Sequence, residues 1–139
     1  MICLVYVSSA VQEMKEEELS SLLNQSRDKN KRLNITGMLL YGRGNFIQIL
    51  EGPKKEVEEL YDVITKDDRH KDCTEIFKDE IDERSFSEWS MGFKHLTSQD
   101  KSMVEGYTEF LDRKMEPREF ATKADAVLEL LYKFKKFNV

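Results

Sequence analysis

The chain is poor in the residues that anchor most small-protein chemistry. Its 139 residues include two cysteines, Cys3 and Cys73, whose separation forms no metal or redox spacing and no disulfide framework. His70 and His95 are the only histidines. Neither has metal-ligand spacing, so no metal site is expected. No glycine-rich loop of phosphate-binding type is present, and Gly42-Arg43-Gly44 suits a hairpin turn better. No apolar run is long enough to cross a membrane. The N-terminus MICLVYVSS lacks a basic lead and reads as a first strand rather than a signal peptide, which places the protein in the cytoplasm. A net charge of −5 argues against nucleic acid as a partner, because that binding rests on a basic surface that neutralises phosphates. Hydrolytic catalysis has no visible machinery: Glu51 and Asp67 form no recognisable acid/base pair, and no enzyme activity is expected.

What is present is organised around the stretch FIQILEG, Phe46 to Gly52. It reads as a buried strand closed by a turn at Glu51-Gly52-Pro53. Gln48 sits in its middle, and an unpaired buried amide costs about 1–3 kcal/mol for each group left unsatisfied. A structural partner would satisfy it; so would a bound ligand that both donates and accepts.

Around this stretch the chain alternates strands and helices. Ile2 to Val7 is apolar on both faces, as a central strand requires. A helix is expected from about Met14 to Lys29, with Leu19, Leu22, Leu23 and Ser26 on one stripe. A polar break follows, then a strand over Ile35 to Tyr41, a hairpin at Gly42-Arg43-Gly44-Asn45, and the FIQILEG strand. Pro53 opens a second helix carrying Val57, Leu60, Tyr61 and Ile64, which ends near Asp67-Asp68-Arg69-His70. Strands are expected over Cys73 to Ile81 and near Trp89 to Phe93.

This order predicts an α+β fold: a ferredoxin-like βαββαβ core with an additional strand, giving a five-stranded mixed sheet with two helices on one face. Right-handed crossovers are expected to set the first and third strands side by side and parallel. Alternation then puts Tyr6 on the same face as Gln48, beneath the helices. Beyond His95, one helical stripe runs through Met103, Val104, Tyr107, Phe110 and Leu111, and another through Ala124, Val127, Leu128, Leu131 and Phe134. The second starts near a cap at Thr122 and ends in Lys133, Lys135 and Lys136. These helices are expected to cover the other face of the sheet. The division is an α+β domain at 1–96 and a C-terminal helical cap at 97–139, with which a partner-binding role can coexist.

A planar heterocycle between the two helices would be sandwiched by side chains such as Leu22 and Ile64, with its edge meeting Gln48, Asn30 and Arg69. Taken singly, Asn30 also suits a helix C-cap and Arg69 a partner for Asp67. In combination, the opening strand LVYVSS, the segment SRDKNKRLNITG, the strand FIQILEG, the helix end Asp67-Asp68-Arg69-His70 and Trp89-Ser90-Met91 resemble the BLUF family of flavin-using blue-light receptors, over roughly Met1 to Leu96.

The resemblance implies a noncovalent flavin between the first two helices, FAD ahead of FMN, and a short stand-alone photoreceptor. Tyr6 and Gln48 match the photoactive pair, and Trp89 and Met91 the switch positions on the last strand. Asn30 matches the amide that binds the pyrimidine edge, and Asp67, Arg69 and His70 match a flanking polar cluster. Ser26, Leu22 and Ile64 occupy lining positions. Lys29 stands where many relatives carry Asn or His. The implied mechanism passes an electron and a proton from Tyr6, relayed by Gln48, whose altered hydrogen bonds shift the flavin spectrum to the red. The signal would pass to a downstream protein partner or to the chain's own homo-oligomer. The alternatives are a ferredoxin-like binding module without photoactivity and a small flavin-dependent oxidoreductase.

Overall fold

The computed structural model describes residues 1–42, 44–87, 90–96, 127–129 and 131–132. Five strands and two helices follow the expected order: β1 Ile2–Ala10, α1 Glu16–Leu33, β2 Thr36–Gly42, β3 Asn45–Gly52, α2 Lys54–Thr65, β4 His70–Glu80 and β5 Gly92–His95. They form one mixed sheet in the order β4-β1-β3-β2-β5. Of the expected features, Arg43, Trp89, the stripe from Met103 to Leu111, Thr122, Ala124, Phe134 and the lysines from Lys133 to Lys136 lie outside the described residues.

β1 is buried along its whole length, as its apolar faces require. It lies beside β3, but the two run antiparallel, with Tyr6 directly opposite Gln48. The expected parallel pairing is therefore corrected. The crossover through α1 makes β1 parallel to β2. The tight β2–β3 hairpin reverses the chain, so β3 inserts between them antiparallel to both. Only β5 joins in parallel, alongside β2.

α1 runs further than the apolar stripe predicts, through the polar segment to Leu33. Glu16, Glu17 and Glu18 lie at its start and Lys31 and Arg32 at its end, both favourable to the helix dipole. It stops at Asn34, not at Asn30: Asn34 takes the left-handed conformation (φ 58°) that asparagine tolerates and caps the last turn. Gly37 meets a tighter constraint, because a Cβ there would stand 1.9 Å from the carbonyl oxygen of Ile49. Only glycine allows the two backbones to approach in this way.

The sheet has two apolar faces. On one, Ile2, Leu4, Tyr6, Phe46 and Leu50 pack with Leu19 and Leu23 of α1 and Val57 and Leu60 of α2. On the other, Val5, Val7, Leu40, Ile47 and Ile49 pack with Phe86, Val127 and Leu131. Both helices thus share the Tyr6/Gln48 face, and the described part of the C-terminal segment packs on the opposite one.

Candidate functional site

Alternation along β1 and β3 turns Tyr6, Phe46 and Gln48 up beneath the helices, where they form the floor of a cavity of about 230 Å³. α1 supplies one wall through Leu22 and Ser26, one turn apart, and α2 the other through Leu60 and Ile64. Asn30, Asp67, Arg69, His70 and Met91 complete the expected set, so every candidate except Trp89, outside the described residues, lines this one cavity. The sequence pattern had not singled out Gln25, Leu39 or Val63 as lining residues. Gln25 was legible in principle, one turn below Leu22 on the same helical stripe.

A chain of hydrogen bonds runs across the floor. The Tyr6 hydroxyl donates to Oε1 of Gln48, and Nε2 of Gln48 donates to Sδ of Met91 at 3.2 Å. The thioether can only accept, so the amide nitrogen must face it. The amide oxygen is left to take the Tyr6 hydrogen. Burial pushes the Tyr6 phenol well above its ordinary pKa, with nearby Cys73, Tyr61 and Asp67 adding to the effect, and so keeps that hydrogen in place. Tyr61 lies against Tyr6 with ring centroids 5.2 Å apart, and burial likewise raises its phenol to about 12. Gln48 retains a second N–H that neither Tyr6 nor Met91 uses.

The remaining polar groups are fixed by their own partners. Asn30 is buried and its Nδ2 donates to the Ser90 carbonyl at 3.0 Å, leaving Oδ1 as an acceptor without a partner among the described residues. Nε2 of His70 lies 2.5 Å from the Ile64 carbonyl, which can only accept, so that nitrogen carries the hydrogen. Nδ1 then accepts from the Ser8 hydroxyl at 2.8 Å. Ser26 donates to the carbonyl of Leu22 at 2.8 Å. At the rim, Arg69 grips Asp67 through Nε at 2.9 Å and through the other end of its guanidinium. This bonding holds the Asp67 carboxyl down at about 2. Lys29 also lines the cavity and forms no ion pair among the described residues.

A flat ring bearing carbonyls and an N–H fits this arrangement. Aliphatic side chains stand on both sides, an uncommitted amide N–H would suit an acceptor on such a ring, and the Asn30 oxygen would suit a ring N–H. Met91 sits just before β5 rather than within it, with its sulfur on the floor and its carbonyl accepting from Arg27 of α1.

Comparison with known proteins agrees with this reading. The family described as BLUF, sensors of blue-light using FAD, matches residues 1–92. The photoactivated adenylate cyclase subunit alpha of Euglena gracilis is 44% identical over 86 residues, which are 62% of this chain and 8% of that protein. The subunit beta of Euglena longa is 39% identical over 89 residues, 63% of this chain and 10% of that protein. The chain thus spans about a tenth or less of the length of these relatives. Among solved structures, the dark state of BlrB, a BLUF protein, superposes with a TM-score of 0.78 at 27% identity, covering 96% of this chain and 93% of BlrB. The photo-activated state of BlsA superposes with a TM-score of 0.72 at 30% identity, covering 94% of each chain. The match extends over more than half of the sequence, and the chain belongs to the BLUF family, the sensors of blue light that use FAD.

Proposed function

We propose that this chain is a blue-light sensor in which Tyr6, Gln48 and Met91 form the switch. The observation that carries the reading is the hydrogen-bond chain from Tyr6 through Gln48 to Met91 across the cavity floor. A flavin bound there supplies the blue absorption and an excited state able to accept an electron. Tyr6, a buried phenol already bonded to Gln48, is the residue that gives the electron and proton. Gln48 would relay that proton toward the ring, and return of the electron and proton to Tyr6 would leave the amide rearranged by tautomerisation, rotation or both, with its partners exchanged and no covalent bond to the ligand.

Asn30 and Arg69 would hold the polar edge of a bound ring, with Asp67 fixing the guanidinium and His70 closing the side nearest Tyr6. Leu22 and Ile64 would sandwich the ring, with Ser26 lining the same wall as Leu22. The family's use of FAD favours FAD over FMN, and Lys29 gives the cavity a cationic group suited to the phosphate end of either. Trp89 joins Met91 in carrying the change towards the segment from 97 to 139, which we assign as the output region. Domains linked to BLUF units in relatives, such as cyclases, suggest that a separate effector reads this change. No described helix is long and apolar enough to cross a membrane.

The experiment is absorbance spectroscopy of the purified, flavin-loaded chain. Blue light is expected to give a reversible red shift that Tyr6→Phe abolishes while the bound flavin remains. A persistent red shift in Tyr6→Phe overturns the role of Tyr6. A protein that takes up no flavin overturns the sensor reading.

A further inference from the structure

Just before β5, the described hydrogen bonds to the carbonyls of Ser90 and Met91 come from side chains. β5 is four residues long, lies at the sheet edge and pairs only with β2, beginning at Gly92 opposite Met38. Ser90 and Met91 precede this ladder, and two side chains of α1 reach them. Asn30 donates to the Ser90 carbonyl at 3.0 Å, and Arg27, nearly one turn earlier, donates through Nε to the Met91 carbonyl at 3.0 Å. Asn30 also lines the cavity, whereas Arg27 does not. Arg27 has no ion pair among the described residues, so its bond to Met91 is its described polar contact.

We propose that Arg27 is a positioning residue that tethers the backbone of Met91 to α1, keeps Sδ within reach of the Gln48 amide, and so sets how fast the switched arrangement reverts. The inference rests on the light-sensor reading above. A methionine side chain has three rotatable bonds and its sulfur is a weak acceptor, so neither fixes where Sδ lies. The backbone must do so. When Gln48 exchanges its partners, Met91 loses its N–H donor. With the carbonyl held by Arg27, Sδ stays beside the amide and the original bond re-forms directly. Without the tether, the segment drifts and must be recaptured before reversion.

The test is a double-mutant cycle read by dark recovery after blue light. Arg27→Met keeps the aliphatic stem and removes the donor; recovery is expected to slow roughly tenfold, the rate equivalent of one charge-assisted hydrogen bond. Arg27→Lys, which keeps a cationic donor, is expected to recover close to the wild-type rate. In a Met91→Leu background, which has no sulfur, adding Arg27→Met should change recovery by less than about twofold, because the tether has nothing left to position. In darkness, Arg27→Met should speed hydrogen exchange over Gly92–His95 and leave β1 unchanged. Unaltered recovery or exchange in Arg27→Met, or equal slowing with and without Met91, overturns the proposal while leaving the sensor reading intact. Absence of a red shift in the wild-type chain overturns both.

Discussion

β3 presents a polar side chain to each face of the sheet, and the two are held in opposite ways. On the helix face, Gln48 touches one hydroxyl and one thioether, and keeps an N–H to spare. On the other face, three residues along, the buried Glu51 carboxylate accepts from Ser85 N–H at 2.7 Å, Phe86 N–H at 2.9 Å and the Thr36 hydroxyl at 3.2 Å. Arg84 locks the same corner, donating to the carbonyls of Glu51 at 3.0 Å and Asn34 at 2.7 Å. Phe86 then stacks on Tyr132 with centroids 5.7 Å apart. Over-determined bonding makes Glu51 a fastener. Under-committed bonding lets Gln48 change partners at little cost, which is what a switch requires.

The sharpest way to break this contrast is to exchange the roles. Gln48→Leu is expected to leave flavin bound and to eliminate the red shift entirely; a normal, persistent shift would show that the amide is not the switch. Glu51→Ala should do the reverse, keeping the red shift but costing about 3 kcal/mol in urea unfolding, since the buried Phe86 N–H and the half-buried Ser85 N–H lose their acceptor. Loss of the red shift in a folded Glu51→Ala protein would mean that the second face takes part in the photochemistry. The smallest effect concerns the rim. The Asp67 carboxyl is held down at about 2 from an ordinary 3.8, so its contribution to stability is present above the unfolded value and is lost as pH falls from about 4 to about 2. Arg69 is exposed and Asp67 partly so, which limits this to about 1 kcal/mol or less. Acid titration of unfolding should show that decline in the wild type and its absence in Asp67→Asn.

Much of the site was legible because it obeys short-range periodicity. Alternation placed Tyr6 and Gln48 on one face, and the register sets them directly opposite each other. Helical spacing gave the Leu22 and Ser26 wall. The errors lay where periodicity says nothing. The direction of β3 relative to β1 follows from the hairpin that inserts it, not from either strand's pattern. The end of α1 is set by one left-handed residue, Asn34, beyond the apolar stripe. No sequence pattern singled out Arg27, and Glu51 read as a turn residue.

The sequence by itself determined the fold class, the face on which Tyr6 and Gln48 lie and the family to which the chain belongs, because alternation, helical spacing and the motifs themselves are written in short stretches of chain. Only the tertiary structure decided which partners the polar groups take. Arg27 and Met91 are 64 residues apart and Glu51 and Ser85 are 34 apart. A hydrogen bond across such a distance in the chain leaves no local pattern. It exists because the packed elements bring a donor to within about 3 Å of an acceptor that would otherwise be buried unpaired.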